Sequence, residues 1–491
     1  MLKRLKLPRI NILFLAVAAL MLFIPLYPKF PLFNVPGTYV AIRIEDLLVV
    51  SVLFIWFVLE IFKGFSTLKN KVGKFILLYW LVGALSLVSA IFITKHVVPH
   101  IALLHFLRRI EYMSLFFVTL ASIRSLKNVK NYGLVLFLTT IGIFVYGIGQ
   151  KFFNWPVVST MNVEFSKGML LQLDEWARIS STFAGHYDLA AFLVLFLALS
   201  AGFIIGLKSR LSKIAMFIVA FLAFYLLILT ASRVSFVAYL VAVTFVLLGL
   251  KKYRWLGPVL VLSVVFMLLS SDISQRYAAT FDIDLSGLTG WIPRKEREVA
   301  LVLKPTPTKP VVKKKTMPFS KEAPVVLKPT PTKVATAAAV EEWKPTTELA
   351  VEYSSAIRFK VEWPRALRAF AKNPFLGTGY SSVTLATDND YLRTLAETGL
   401  LGFGAFFLIF LEIGRQVLSF FTQVKLNLEK ALVVGICGAI LGMFANAVFI
   451  DVFVASKVAF IFWILMGILV GITRLRLVRQ LAEEENEKNN F

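Results

Sequence analysis

The sequence predicts an all-α, polytopic helical membrane protein of about 12 transmembrane helices, with a large outward-facing loop that contains an amphipathic helix. Three observations predict it. Of the 491 residues, 58% are hydrophobic, whereas soluble domains hold about 45–50%, so the excess has to be hidden in lipid. The apolar residues also fall in blocks of about 17–23, the length at which a helix crosses a hydrocarbon layer of about 30 Å. They do not alternate over segments of about ten residues, as barrel strands would. Finally, Lys and Arg gather in every second short loop, the bias that sets orientation in a membrane.

The expected spans are 10–26, 44–62, 75–94, 101–122, 132–149, 187–207, 214–230, 234–250, 255–271, 399–414, 431–450 and 458–473. The first follows Lys3, Arg4 and Lys6 but has no small-residue cleavage site after it, so it reads as an anchor. Basic residues such as Lys69, Lys71, Lys127, Lys208, Lys251 and Arg474 fall on one side, while Lys29, Arg43, Arg178, Arg233 and Lys457 are the sparser set on the other. Both termini are therefore expected in the cytoplasm, and loops 150–186 and 272–398 outside. The chain divides into a first bundle, 1–271, of about nine spans; an outer loop, 272–398; a second bundle, 399–473, of about three spans; and a charged tail, 474–491.

A net charge of +24 is covered by the basic loops and a lysine-rich linker, so nucleic acid is not an expected partner. The single cysteine, Cys437, lies in a span, which excludes an internal disulfide and a cysteine-based metal site.

Within the outer loop, 292–350 stands apart. "VLKPTPTK" occurs at 302–309 and again at 326–333, with Lys313, Lys314 and Lys315 between them. Such Pro, Lys, Thr and Ala composition predicts a semi-extended tether rather than a folded unit. Order is expected again from Val351, where a helical stretch with Ile357, Val361, Leu367 and Phe370 on one face would lie on the membrane surface. Pro364 would break or kink it and Asn373-Pro374 would stop it. The turn "LGTGYSS" then offers Gly377 and Gly379 for positive φ, before Asp388, Asn389 and Asp390 open a short helix closed by Gly399.

Four polar clusters share the outer side under this topology. They are Arg178, His186 and Asp188; Arg233 in "TASRVSF"; Arg358 with Arg365 and Arg368; and Asp388, Asn389, Asp390 and Arg393. Each has a plainer reading. Arg233 would snorkel to headgroups, Arg358 would sit on a solvated face, and Asp388 or Asp390 would cap the helix 389–398. His96, His100 and His105 have metal-like spacing, but Pro99 interrupts them and no acid lies beside them. The pairs Asp282/Asp284 and Asp388/Asp390 would need substrate oxygens to complete a site for a hard cation. Arg108, Arg109 and Glu111 fall inside a span, where charge is costly and marks a cavity or a partner; Arg108 and Glu111 are spaced to pair.

"RISSTFAGHYDLAAFL", "TASRVSF", "SAIRFKVEWPRALRAFAKNPFLGTGYSS" and "DNDYLRTLAETGLLGFGAFF" occur in the order seen in the O-antigen ligase/polymerase superfamily, and the chain resembles that superfamily over about 170–420. The resemblance implies a metal-independent, inverting glycosyltransferase of the bacterial plasma membrane, its active site on the extracytoplasmic face and without a cofactor. It would move a glycan from an undecaprenyl-pyrophosphate carrier to an acceptor hydroxyl on a glycan, on lipid A core or on protein. Arg233 and Arg358 match the family's pyrophosphate-holding arginines. Asp388 stands where ligases usually carry the His proposed as general base, which leans the reading from ligase toward polymerase. Arg178, His186, Arg393, Arg108 and Asn389 are expected to line the substrate site. Membrane lipids, a flippase and a chain-length regulator are the candidate partners. A lipid-linked sugar transporter would instead need internal repeats and deep polar residues in several spans, and a scaffold would tolerate loss of the arginines.

Overall fold

The computed structural model describes residues 11–35, 38, 41–160, 165–173, 177–269, 357–383, 387–421 and 427–489. The expected tether 292–350, the Asp282/Asp284 pair and the basic residues Lys3 to Arg9 lie outside them.

Helix formation follows the apolar blocks. The first group is α1 (Ile12–Leu26), α2 (Ile44–Ile61), α3 (Lys71–Val88), α4 (Pro99–Ser122) and α5 (Leu126–Phe152), with α3 continued by a π-helical turn, Ser89–Thr94. Then come α6 (His186–Gly206), α7 (Arg210–Leu229), α8 (Arg233–Gly249) and α9 (Leu256–Leu269). A π-helical stretch, Ile357–Glu362, leads into α10 (Trp363–Lys372), followed by α11 (Asp390–Phe421), α12 (Leu428–Ala447) and α13 (Ser456–Asn489). Each predicted span coincides with one of these helices. Seven are long and apolar enough to cross a membrane: α3 with its π turn, α5, α6, α7, α11, α12 and α13 up to Gln480. Helices α1, α8 and α9 are apolar but shorter. The remaining two carry charge, α2 as Glu45, Asp46 and Glu60 and α4 as Arg108, Arg109 and Glu111.

Local chemistry sets the boundaries. Asn11, Asn70, Ser209, Ser232 and Asn427 stand directly before α1, α3, α7, α8 and α12, and each side-chain oxygen accepts a first-turn N–H. Pro364 falls in the first turn of α10, where a missing N–H costs nothing, so it starts that helix after the π turn rather than breaking it. Two boundaries differ from expectation. The span expected to begin at 399 is the second part of α11, and α13 runs on as helix through Asn489. The 150–186 loop holds a small antiparallel hairpin, Val157–Val158 with Leu170–Leu171, that its composition did not announce.

Helix α6 and residues 458–472 of α13 are apolar all round and buried on nearly every side, which makes them the centre of the bundle. Around them α6 packs on α7, α8 and α12, and α13 on α4; α11 lies on α3, and α1 on α5. The α6–α12 approach is close: a Cβ on Gly202 would lie 2.5 Å from the Ala431 carbonyl oxygen. Small residues at such contacts let helices associate in lipid, where no hydrophobic drive separates helix from solvent.

Because successive helices alternate in direction, the loops after α1, α3, α5, α7 and α12 meet at one end. Lys457, 0% exposed, knots them together. Its ammonium donates to the carbonyls of Pro25 (3.1 Å), Tyr27 (2.6 Å) and Thr182 (2.6 Å), groups left unpaired where α1 ends and the 180s loop turns. Lys29 is buried beside it, 4.0 Å from Asp188. Burial and the nearby Arg43 pull the Lys29 pKa down to about 8, against the opposing pull of Asp188. Lys29, Arg43 and Lys457 are thus interior groups at this end, not loop charges facing headgroups.

Candidate active site

The site begins with a broken helix. Within α11, Gly399 has φ +65° and ψ −168°, a conformation open to glycine almost alone. A break there strands the carbonyls of the first piece and the N–H groups of the second. The polar turn Asn373–Tyr380 supplies both sets of partners. Thr378 and Gly379 donate to the carbonyls of Ala396 (2.8 Å) and Glu397 (3.0 Å), while Leu400 and Leu401 donate to those of Pro374 (2.8 Å) and Phe375 (3.2 Å). The Ser86 hydroxyl of α3 adds a bond to the Glu397 carbonyl, 2.7 Å. "NPFLGTG" is therefore a plug, and it fixes the short piece Asp390–Thr398 in place.

At the start of that piece the three polar residues divide their tasks. Asn389 is the cap, its side-chain oxygen accepting the Leu392 N–H at 2.9 Å. That corrects the expectation that Asp388 or Asp390 caps the helix. The Asp390 carboxylate accepts from the Phe453 N–H at 2.9 Å. Asp388 has φ +52°, a left-handed turn that aims its carboxylate away from the helix and onto Arg358, with Nε to Oδ2 2.9 Å. Beneath the loop, Asp451 accepts the backbone N–H groups of Thr387 (2.7 Å), Asp388 (3.0 Å) and Asn389 (3.3 Å). One carboxylate thereby holds three consecutive donors.

Arg358 reaches a second layer. It is buried on the π-helical turn before α10 and hydrogen-bonds the Tyr187 phenol, which Arg178 also bonds. Arg178 lies 2.6 Å from His186 Nε2, and a guanidinium can only donate there, so the imidazole accepts at that nitrogen. The result is a line Asp388–Arg358–Tyr187–Arg178–His186. The Asp388 side chain keeps 32% of its surface open, enough for a ligand to reach it. Burial pushes the Asp388 carboxyl above its ordinary pKa; Arg358 pulls it back only in part, and Asp451 adds to the rise. For Arg358 burial opposes the charge, but Asp388 and Tyr187 outweigh it and hold its pKa above the ordinary value.

Behind the loop runs a buried ionic relay. Arg393 Nη2 meets Asp451 at 2.9 Å and its Nη1 lies 3.7 Å from Glu397; Glu397 in turn lies 3.4 Å from Arg109, which also bonds the Phe453 carbonyl at 3.1 Å. Arg393 and Asn389, expected to line the substrate site, thus face inward and hold the loop. Arg233 occupies the first turn of α8 at the same end, and Ser235 on that turn bonds Asn446 (2.8 Å), just before the Asp451 loop. Arg108 lies apart, bonded to Asp46 (2.8 Å) and the Ala41 carbonyl (3.2 Å) rather than joined with Glu111 in a helix-surface pair. Arg365 pairs with Glu362 (3.2 Å), away from the cluster.

The metal readings fare differently in the geometry. His96 lies 2.7 Å from the Lys372 ammonium and bonds the Thr94 carbonyl, while His105 faces a cavity with Arg108. The carboxylates of Asp388 and Asp390 turn to separate partners. Among the described residues no three His, Cys, Asp or Glu side chains gather as a metal site would require.

Residues that sequence reasoning passed over are Tyr187, Glu397 and above all Asp451. The available signal for Asp451 was a lone acid in "NAVFIDVFV", at the end of an apolar block where charge needs a partner.

A bundle of membrane-length helices with arginines and a carboxylate gathered at one end is a polytopic helical membrane protein. Residues 218–407 match the family model described as O-antigen ligase, and the match supports the resemblance to the O-antigen ligase/polymerase superfamily. The matched stretch includes Arg233, Arg358 and Asp388 and ends within α11. Compared with curated proteins, the chain matches none.

Proposed function

We propose that this chain transfers a glycan from an undecaprenyl-pyrophosphate carrier to an acceptor hydroxyl, by inversion and without a metal, and that it acts as a polymerase. The observation that carries the reading is the 2.9 Å contact between Arg358 and Asp388, with Tyr187 and Arg178 continuing from it. In the reaction, Asp388 takes the proton of the acceptor hydroxyl as its oxygen attacks the anomeric carbon. The bond from that carbon to the pyrophosphate oxygen breaks, and the pyrophosphate leaves with the bonding pair. Arg358, with Arg178 and Arg233, would bind that growing charge through forked donors that stay protonated. Fixed cations aimed at a leaving group supply the largest catalytic contribution available here.

The left-handed turn at Asp388 matters because it points the carboxylate out of the helix toward the guanidinium. A pKa raised by burial and by Asp451 makes it a stronger base than a free Asp. The preference for polymerase rests on Asp388 standing where ligases of the superfamily usually carry His.

The test is a reconstituted reaction with purified protein and an undecaprenyl-pyrophosphate oligosaccharide, run with and without EDTA and read by mass. A product ladder that resists EDTA supports the proposal. Loss of the ladder in EDTA overturns the metal-independent part. Transfer only when a lipid or peptide acceptor is supplied makes the protein a ligase or a protein glycosyltransferase.

A further inference from the structure

Arg108 and Arg109 are neighbours on α4 and so point about 100° apart around the helix. Arg109 turns inward to Glu397. Arg108 turns sideways, into a cavity of about 380 Å³ between α2 and α4. Its walls are mostly apolar side chains of both helices and of the segment before α2, with Thr38 and His105 among them, and Leu47, Val50 and Leu107, at its rim, are each about half exposed on the outside of the bundle. An apolar opening on the outer surface of a membrane helix pair opens onto hydrocarbon.

Its inner end is ionic. Arg108 bonds one oxygen of Asp46, but the other, Oδ1, is buried with no partner, and so is Oε1 of Glu111. Asp46 is only 8% exposed and lines this cavity together with Arg108 and Glu111. Two buried carboxylate oxygens lacking donors carry a large cost unless something donates to them. Among the residues that line the cavity, one guanidinium, Arg108, faces two carboxyl groups, Asp46 and Glu111.

The level of this end is fixed by α2. Its 18 residues span about 27 Å, close to a hydrocarbon thickness of about 30 Å. Asp46 lies in the first turn of α2, at the end of the bundle that holds the candidate active site, and so at headgroup depth.

We infer that the α2–α4 cavity is a binding site for one zwitterionic, primary-amine phospholipid. Its chain lies along Leu47, Val50 and Leu107. Its phosphate meets Arg108, and its ammonium donates to Asp46 Oδ1 and Glu111 Oε1. The ammonium supplies a second positive charge and the missing donors together. A quaternary ammonium, which has no N–H, supplies only the charge, and a glycerol headgroup only the donors.

The experiment uses the full chain in nanodiscs of equal parts phosphatidylethanolamine, phosphatidylcholine and phosphatidylglycerol, with the lipids retained after detergent extraction read by native mass spectrometry. One phosphatidylethanolamine per protein is expected, enriched about tenfold over the other two, the ratio for one charge-assisted hydrogen bond. Glu111→Gln should lower that enrichment. Val50→Trp, at the exposed rim of the cavity, should abolish retention with every charge intact. Equal retention of the three lipids, or phosphatidylcholine held as well as phosphatidylethanolamine, overturns the inference. So does enrichment that survives Val50→Trp.

Discussion

At Asp388 the backbone and the chemistry can be separated by one substitution. Asn tolerates a left-handed φ as well as Asp does, and the cap belongs to Asn389, so Asp388→Asn keeps the turn and an acceptor oxygen for Arg358 while removing the base and its charge. Transfer is expected to fall by at least about 10²-fold; activity near wild type would remove the carboxylate from the mechanism. The same group sets a pH dependence. Its pKa is raised by burial, and the base works only when ionised, so kcat/KM should fall on acidification with an apparent pKa above the ordinary Asp value. An acid limb absent, or unmoved in a variant lacking Asp451, would contradict this. Arg358→Ala and Arg233→Ala should each cost about 10²–10³ in rate, the usual cost of one donor to developing charge, while the solubilised protein stays monodisperse. Asp451 acts through the loop it holds. Asp451→Asn leaves acceptor oxygen for some of the three N–H groups but loses the charge facing Arg393, and a loop shifted by about 1 Å costs about 10²-fold in kcat. Loss confined to KM would place Asp451 outside that role.

At the scale of elements, the break in α11 carries the most structural weight. Gly399→Ala forces a side chain into a conformation costing about 1–3 kcal/mol, against the backbone of Phe375. A lower thermal midpoint in detergent, with weaker activity in the surviving fold, is the expected outcome; an unchanged midpoint would mean the plug can shift without cost. Much of this level was readable from the chain. Apolar blocks mark helices because lipid forces every backbone group to bond locally, and Gly399 announced the end of its short helix. The site was readable as four clusters on one side, since alternating spans sort loops by side. What escaped were pairings across the fold. Nothing in "NAVFIDVFV" says that its Asp cradles a loop on another element, and nothing in "HYDLAAF" says that its Tyr lies between two arginines. The partner of Arg108 escaped because Asp46 sits on a different helix, while the spacing pointed to Glu111.

For the whole molecule, the orientation expected from the loop charges can be checked without activity. In a Cys437→Ala background, Gln172→Cys lies on the site end and Lys208→Cys on the other, and both positions are exposed. A membrane-impermeant maleimide should label the first in intact cells and the second only after permeabilisation; the reverse pattern would invert the protein.

Lys457 ties the end of the first helix to the start of the last. The paired groups lie 432 and 430 residues apart, so the carbonyls of Pro25 and Tyr27 meet their lysine only once α13 has been made. The end that holds the candidate site can close only when α13 arrives, and a chain cut short before α13 would lack the lysine that joins these loops.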